Sequence, residues 1–368
     1  MAPRARAADV EPVPESDRAG ELPHPRERQE LFGHGAAAQT LAGAARSGRL
    51  HHAWIIAGPK GVGKATLAWR FTRALLAHGP AACPDDLAVP PDHTVSRLIS
   101  ALTHPDVLLI RRPWDPERKR VRTVVVVDEV RRLRSFFSQH ASSNGGYRIA
   151  IVDSADDMNI QAQNSLLKIL EEPPARGLLL LISQVPGALL PTTRSRCRLL
   201  TLRPLEPEPM REAMAVLAPN VEGGQRELLA ALANGAPGRA AELAETDALA
   251  LYREIGDLLQ GLPRLNGAKL FAMAERVARA QPERGIFQFV ALLSQIEERL
   301  IRGAYTAQPP VPGEEALLRH LRAAVPLDRW SDLRDELREK AAQAEELNLD
   351  KKQLILNTFF AIEAAARR

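Results

Sequence analysis

The stretch that decides the fold reads Ala53-Trp54-Ile55-Ile56-Ala57-Gly58-Pro59-Lys60-Gly61-Val62-Gly63-Lys64-Ala65-Thr66-Leu67. A short apolar strand runs into a glycine-rich loop, and the loop into a segment expected to be helical from Thr66 to Leu76. In that order the loop's backbone N–H groups can cradle phosphate oxygens while Lys64 neutralises phosphate charge. Gly58, Gly61, Gly63 and Lys64 are therefore candidate nucleotide-binding residues. One part is missing. The position after the lysine, where such loops carry a Ser or Thr hydroxyl for Mg²⁺, is Ala65. Thr66 comes one residue late, and one step along a helix turns a side chain by about 100°. It is no automatic substitute, although a water in that space could rescue weak Mg²⁺ coordination.

Working outward, strands are expected at Val107 to Ile110, Arg148 to Val152 and Leu178 to Ser183. Helices are expected at Thr40 to Leu50, Val130 to Phe137 and Ala162 to Leu170, with an irregular, Pro- and Asp-rich region over Pro80 to His104. The alternation predicts an α/β domain with a parallel sheet over residues 26–205. Residues 1–25 mix Pro, Glu and Arg without an apolar period and read as a flexible extension. After Leu205 the chain turns to Ala-, Leu- and Glu-rich helical segments, with breaks that suggest a small helical domain at 206–262 and a larger one at 263–368.

A chain of 368 residues that is 45% hydrophobic can bury a large core. Its net charge of +4 is too small to argue DNA binding by itself. Cys83 and Cys197 are the only cysteines, which excludes a disulfide framework and an all-cysteine zinc site and fits a reducing, cytoplasmic compartment. Apolar runs such as Leu178 to Ile182 are too short to span a bilayer as helices. No membrane partner and no metal site is expected.

A phosphate loop that hydrolyses its nucleotide needs an acid at the end of a nearby strand. Val124-Val125-Val126-Val127-Asp128-Glu129 is the better local match, but it runs directly into Val130-Arg131-Arg132-Leu133, the start of a surface helix. Arg148-Ile149-Ala150-Ile151-Val152-Asp153-Ser154 has the better architecture, preceding a helix and another buried strand. Asp153 is thus the candidate metal-site acid. Ser154 then stands where a hydrolytic enzyme would carry a glutamate, and a serine cannot replace that carboxylate as a base near neutral pH.

Asn164-Ser165-Leu166-Leu167-Lys168-Ile169-Leu170-Glu171-Glu172-Pro173-Pro174 and Ser195-Arg196-Cys197, with Leu50-His51-His52-Ala53-Trp54 ahead of the loop, resemble the clamp-loader branch of the AAA+ family. The likeness is strong over residues 31–204 and weaker at Glu346-Leu347-Asn348-Leu349-Asp350-Lys351-Lys352. It implies an AAA+ P-loop domain, a helical lid and a helical collar within a five-subunit ring of the DNA polymerase III holoenzyme. The partners it implies are ATPase subunits of the gamma/tau type, a delta-type subunit, and, through the complex, a sliding clamp and primed DNA. It also implies that Arg196 reaches into a neighbour's ATP site as an arginine finger, a catalytic role in trans. The unaided reading of the tripeptide is a surface ion pair, and both readings stand at this point.

Related ATP-hydrolysing subunits carry a zinc-binding cysteine group after the loop helix. Here Cys83 remains, with His78 and His93 nearby, an incomplete set. Ser183-Gln184 lies at the place of a nucleotide sensor, and a plain strand-end polar role is an equal alternative. In Asn234-Gly235-Ala236-Pro237-Gly238-Arg239 the arginine of a second sensor is displaced by one residue. The resemblance therefore implies a chain without efficient ATP hydrolysis and with no required cofactor, ATP or ADP binding remaining open. Two alternatives stay beside it: a weak ATPase, and a direct DNA-binding adaptor with a degenerate loop.

Overall fold

A computed structural model describes residues 14–18, 20, 22–142, 146–280, 284–303, 311, 314–346 and 350–367. The chain forms two compact units, Met1–Ala213 with Gly235–Arg239, and Met214–Asn234 with Ala240–Arg368. The first unit contains α1 (Gly35–Arg46), β1 (Ala53–Ala57), α2 (Lys64–His78), α3 (Thr94–Ser100), β2 (Val107–Ile110), β3 (Trp114–Asp115) and β4 (Arg120–Val121). It continues with α4 (Val127–Phe137), β5 (Arg148–Asp153), α5 (Ile160–Glu171), β6 (Gly177–Ser183), α6 (Pro191–Arg194) and β7 (Arg198–Thr201).

Five strands form one parallel sheet in the order β2-β5-β6-β1-β7, and β3 and β4 form a separate antiparallel hairpin. The central strands are continuous apolar runs because both sheet faces are covered, and successive side chains supply opposite faces. Trp54, Ile56, Ile149, Ile151, Leu178 and Leu180 pack with Leu41, Leu67, Trp69 and Phe71 of α1 and α2. Ile55, Ala150, Val152, Leu179 and Leu181 pack on the other side with Val130, Leu133, Leu166 and Leu170 of α4 and α5.

The expected strands and helices of this unit are present, the first helix lying four to five residues earlier than expected and the others within about three residues of their expected bounds. The short α6, α3, β7 and the β3–β4 hairpin were not expected. α3 lies inside the region read as irregular; its N-cap is His93, whose side chain accepts from the Val95 N–H. β7 is an edge strand whose Leu199 is 58% exposed, so it carries no buried-strand signature. The β3–β4 hairpin has two residues per strand. Val124 to Val127, by contrast, forms no strand beyond an isolated bridge from Val125 to Met158.

Residues 1–13, most of the expected extension, lie outside the described residues. From Pro14 onward the described part packs on the unit through ion pairs. Asp17, its side chain fully buried, pairs with Arg111 at 2.6 Å and His24 at 3.0 Å, and Glu15 pairs with Arg26 at 2.9 Å. The buried Arg73 of α2 donates to the Arg26 carbonyl at 2.7 Å. Polar docking of this kind leaves no apolar period to read.

The remaining helices are α7 (Pro207–Leu217), α8 (Gly223–Leu232), α9 (Pro237–Ala244), α10 (Ala248–Leu259), α11 (Gly267–Arg279), α12 (Arg284–Arg302), α13 (Glu314–Ala324), α14 (Leu327–Glu346) and α15 (Lys351–Ala366). Within the second unit one apolar cluster joins residues from Leu232 to Ala365, including Ile255, Leu270, Phe289, Trp330 and Phe359. On α12, Phe289, Leu292, Leu293, Ile296 and Leu300 are buried while Phe287 is exposed, because helical spacing keeps positions 287 and 289 off one face. Leu347, Asn348 and Leu349 of the weaker tail match lie outside the described residues. Among the described residues, no helix is long and apolar enough to cross a membrane.

Candidate functional site

The phosphate loop and Asp153 meet at the carboxyl ends of the sheet's strands. β1 feeds the loop, β5 ends in Asp153, and β6 lies between them, at the end where parallel α/β sheets hold ligands. Gly63 caps the start of α2, and the loop turns at Gly58 and Gly61, with φ of +149° and +79°. Neither turning glycine has room for a side chain. A Cβ on Gly58 would lie 2.5 Å from the Leu202 carbonyl oxygen, and one on Gly61 would lie 2.5 Å from the Arg239 nitrogen. The Gly238 N–H donates to the Gly61 carbonyl at 2.8 Å. The displaced second-sensor segment thus packs directly on the loop backbone. The buried His34, which sequence reasoning passed over, places Nε2 2.8 Å from the Val62 carbonyl oxygen.

Lys64 is buried and spends its ammonium on its own loop, donating to the Gly58 carbonyl at 2.7 Å and the Pro59 carbonyl at 2.8 Å. Burial pushes its pKa down to about 8, with Lys60 adding to the effect and Asp153 and Asp156 opposing it. Asp153 moves the other way. Burial, and then the nearby Asp17 and Asp157, push it up to about 7 against the pull of Lys64 and Arg111. These shifts describe an acid and a base that both lose hydration at the end of the sheet.

A consequence for pH follows from Asp153. The folded state holds its proton more tightly than the unfolded chain, so its contribution is fully present below about pH 3.8 and is lost as pH rises through about 7. Lys64 changes charge above that window. Asp153→Asn is expected to be nearly neutral at pH 4 and to stabilise the chain by about 1–3 kcal/mol at pH 7.5. Urea unfolding midpoints of both proteins at the two pH values measure this. A loss of stability at pH 7.5 would show that the ionised carboxylate is favourably held.

Ser154 does not face an empty base position. Its hydroxyl donates to Asp156 at 3.1 Å, and Asp156 also accepts from the Ser183 hydroxyl at 2.6 Å and the Gln184 N–H at 2.5 Å. Asp156 therefore ties the end of β5 to the end of β6 and engages the hydroxyl of the sensor candidate. It was missed because a three-residue helical turn after β5 aims it back at the sheet. The two acids of the rejected site, Asp128 and Glu129, sit in the first turn of α4 and pair with Arg131 at 2.9 Å and Arg132 at 2.6 Å.

Arg196 stands on the turn between α6 and β7. Pro191 opens α6, and the buried Gln163 of α5 accepts from the Leu190 N–H at 2.8 Å, fixing where that helix begins. The Arg196 guanidinium pairs with Glu171 at 2.9 Å and donates to the Thr192 carbonyl at 3.0 Å. The pair is open to water, with the two side chains 36% and 50% exposed, and an exposed pair of this type contributes about 0–1 kcal/mol. The surface ion pair read from the tripeptide is thus present, and it is weak enough to release. Burial pushes the Cys197 thiol up to about 12, which removes it as a nucleophile.

The incomplete zinc set does not assemble into a candidate site. Cys83 is buried with its thiol pushed up to about 11, and the His78 and His93 ring centres are 6.5 Å apart. Among the described residues there is no group of three side chains able to hold a metal ion.

Comparison with known proteins covers the same part of the chain. The model of the family described as DNA polymerase III, delta subunit, matches residues 33–206. DNA polymerase III subunit delta' of Pseudomonas aeruginosa is 40% identical over 149 residues, covering 40% of this chain and 41% of that protein. Subunit delta' of Escherichia coli is 34% identical over 214 residues, covering 57% and 59%. Subunit gamma/tau of Mycobacterium tuberculosis is 32% identical over 187 residues, covering 50% and 30%. The matches span about half the length of the delta' relatives. The family match and the delta' similarities thus coincide on the sheet, the loop and the Arg196 turn: over residues 33–206 the chain matches the family described as DNA polymerase III, delta subunit, and this part is similar to the delta' subunits of that polymerase.

Proposed function

We propose that the chain is a non-hydrolysing subunit of a replicative clamp loader that supplies Arg196 to the ATP site of a neighbouring gamma/tau-type subunit. The observation that carries this reading is the setting of Arg196: a guanidinium on a rigidly started turn, held by one water-exposed ion pair, within the family-matched segment. An inserted guanidinium neutralises phosphate charge and stabilises phosphoryl transfer from across an interface. In this reading residues 206–262 serve as a lid and 263–368 as a collar in a ring that also holds a delta-type subunit and acts on a sliding clamp and primed DNA.

The chain's own loop supports the non-hydrolysing part. Ala65 offers no hydroxyl for Mg²⁺, Ser154 offers no base, and Lys64 is committed to loop carbonyls. ATP or ADP would be met by the loop N–H groups, with Lys64 turning from Gly58 and Pro59 to the phosphates. Lys64→Ala is expected to leave ATP turnover of the isolated chain at the same negligible level and to cost about 1–3 kcal/mol in stability through the lost charged hydrogen bonds. A steady-state rate that disappears in Lys64→Ala would support the weak-ATPase alternative instead. The delta-prime role itself is tested by reconstituting the ring with cognate subunits and comparing clamp loading and turnover for wild type and Arg196→Ala.

A further inference from the structure

Residues 111–134 carry nine basic and four acidic side chains, a net +5, where all 368 residues together carry +4. The segment holds the β3–β4 hairpin and the start of α4. Trp114 at the hairpin base and Glu129 and Arg132 of α4 line one shared cavity, so the two elements adjoin.

Three of the segment's four acids are ion-paired away from the turn, and the fourth, Glu117, stands exposed in the turn itself. Asp115 pairs with Arg122 at 3.4 Å, Asp128 with Arg131 and Glu129 with Arg132, while Arg112 pairs with Asp157 at 3.2 Å. Among the described residues, no carboxylate lies within ion-pair distance of the Arg118, Lys119 or Arg120 side chains, and all three are exposed. The turn is ordered: Asp115 Oδ1 accepts from the Glu117 and Arg118 N–H groups, both at 3.2 Å. Lys119 sits at φ +48°, in the left-handed region where a turn ordinarily places Gly or Asn. The turn thus presents Arg118, Lys119 and Arg120 side by side to solvent, with Glu117 as the one acid among them.

We infer that the β3–β4 hairpin is a direct contact for the phosphate backbone of DNA, with Arg118, Lys119 and Arg120 as the contacting groups. Three consecutive cations fit a polyphosphate, and they are fewer than the roughly four to eight that a polybasic segment uses on an anionic lipid surface and carry no apolar side chain to insert there. The basic pair at the start of α15 is engaged within the protein: Lys352 lies over the Phe271 ring and 4.0 Å from Glu275. The inference concerns the isolated chain and does not depend on the arginine-finger reading.

The test is fluorescence anisotropy of a short primed DNA duplex with the full chain across a salt series. The triple variant Arg118→Ala/Lys119→Ala/Arg120→Ala is expected to bind at least about 10-fold more weakly at low salt. Its log–log salt slope should be shallower by about 2.7, the value for three lost phosphate contacts on duplex DNA. Lys119→Gly provides a variant that cannot be dismissed as misfolded, since glycine relieves the positive φ: its unfolding midpoint should rise while its DNA affinity falls. Lys352→Glu should bind like wild type. The inference is overturned if wild type does not bind, if the triple variant keeps the wild-type affinity and slope, or if polyglutamate of equal charge displaces DNA as well as DNA itself does. That last result would assign the hairpin to an acidic protein.

Discussion

In a ring reconstituted with its cognate ATPase, delta-type subunit and clamp, Arg196→Ala is expected to lower hydrolysis at the neighbouring ATP site by about 10³-fold or more, the range for loss of an arginine finger. The ring itself should still assemble. Nothing in the chain's own packing depends strongly on this side chain: its contacts are an exposed ion pair with Glu171 and one backbone carbonyl. The variant should therefore unfold within about 0.5 kcal/mol of wild type, as surface substitutions usually do. Arg196→Lys should rescue little, because an ammonium keeps the charge but loses the planar, two-pronged geometry that matches phosphate oxygens. Turnover that falls together with ring assembly would instead make Arg196 an interface residue. Because the Glu171 pair is worth about 1 kcal/mol at most, releasing it subtracts little from transition-state stabilisation of about 4 kcal/mol or more.

Gly61→Ala is expected to destabilise the chain by about 2–4 kcal/mol, combining left-handed strain with overpacking against a neighbouring segment. The new Cβ would lie 2.5 Å from the Arg239 nitrogen and 3.1 Å from the Gly238 carbonyl carbon, and the Gly238 N–H to Gly61 carbonyl hydrogen bond would be pushed apart. These neighbours are backbone atoms, so the clash cannot be relieved by a rotamer change. The effect should appear in the absence of any nucleotide, as a lower urea midpoint with an unchanged slope. A Gly61→Ala protein as stable as wild type would mean that segment 235–239 readily moves off the loop. The loop would then retain its glycines for phosphate rather than for packing.

The loop, the buried strands and the helix faces were legible because each rests on a local signal. β1, β5 and β6 are apolar runs bounded by turn residues, and α2 follows a glycine loop with its buried side at helical spacing. The place of Asp153 at a strand end was also legible, since a strand followed by a helix and another buried strand specifies a sheet position, and Asp128 lies in a helix first turn as its sequence indicated. Asp156 was not. Its role depends on a tight turn bringing it to Ser183 and Gln184, 27 and 28 residues away in sequence. The same holds for His34 beside Val62, for Gln163 beneath α6, and for the pairing of Asp17 with Arg111. Polar contacts between distant segments leave no periodicity, and β7 at the sheet edge leaves little more. Glu171 stands in a quoted motif, yet its pairing with Arg196 emerges only when α5 and the turn after α6 are folded together.

The central claim is that this chain serves ATP chemistry with Arg196 and not with its own loop. Its most direct measurement is ATP turnover of the reconstituted ring with Lys64→Ala or Arg196→Ala as the sole change in this subunit. Wild-type turnover with Lys64→Ala and a collapse at the neighbouring site with Arg196→Ala is the expected result. The reverse pattern, loss with Lys64→Ala and normal turnover with Arg196→Ala, would contradict it.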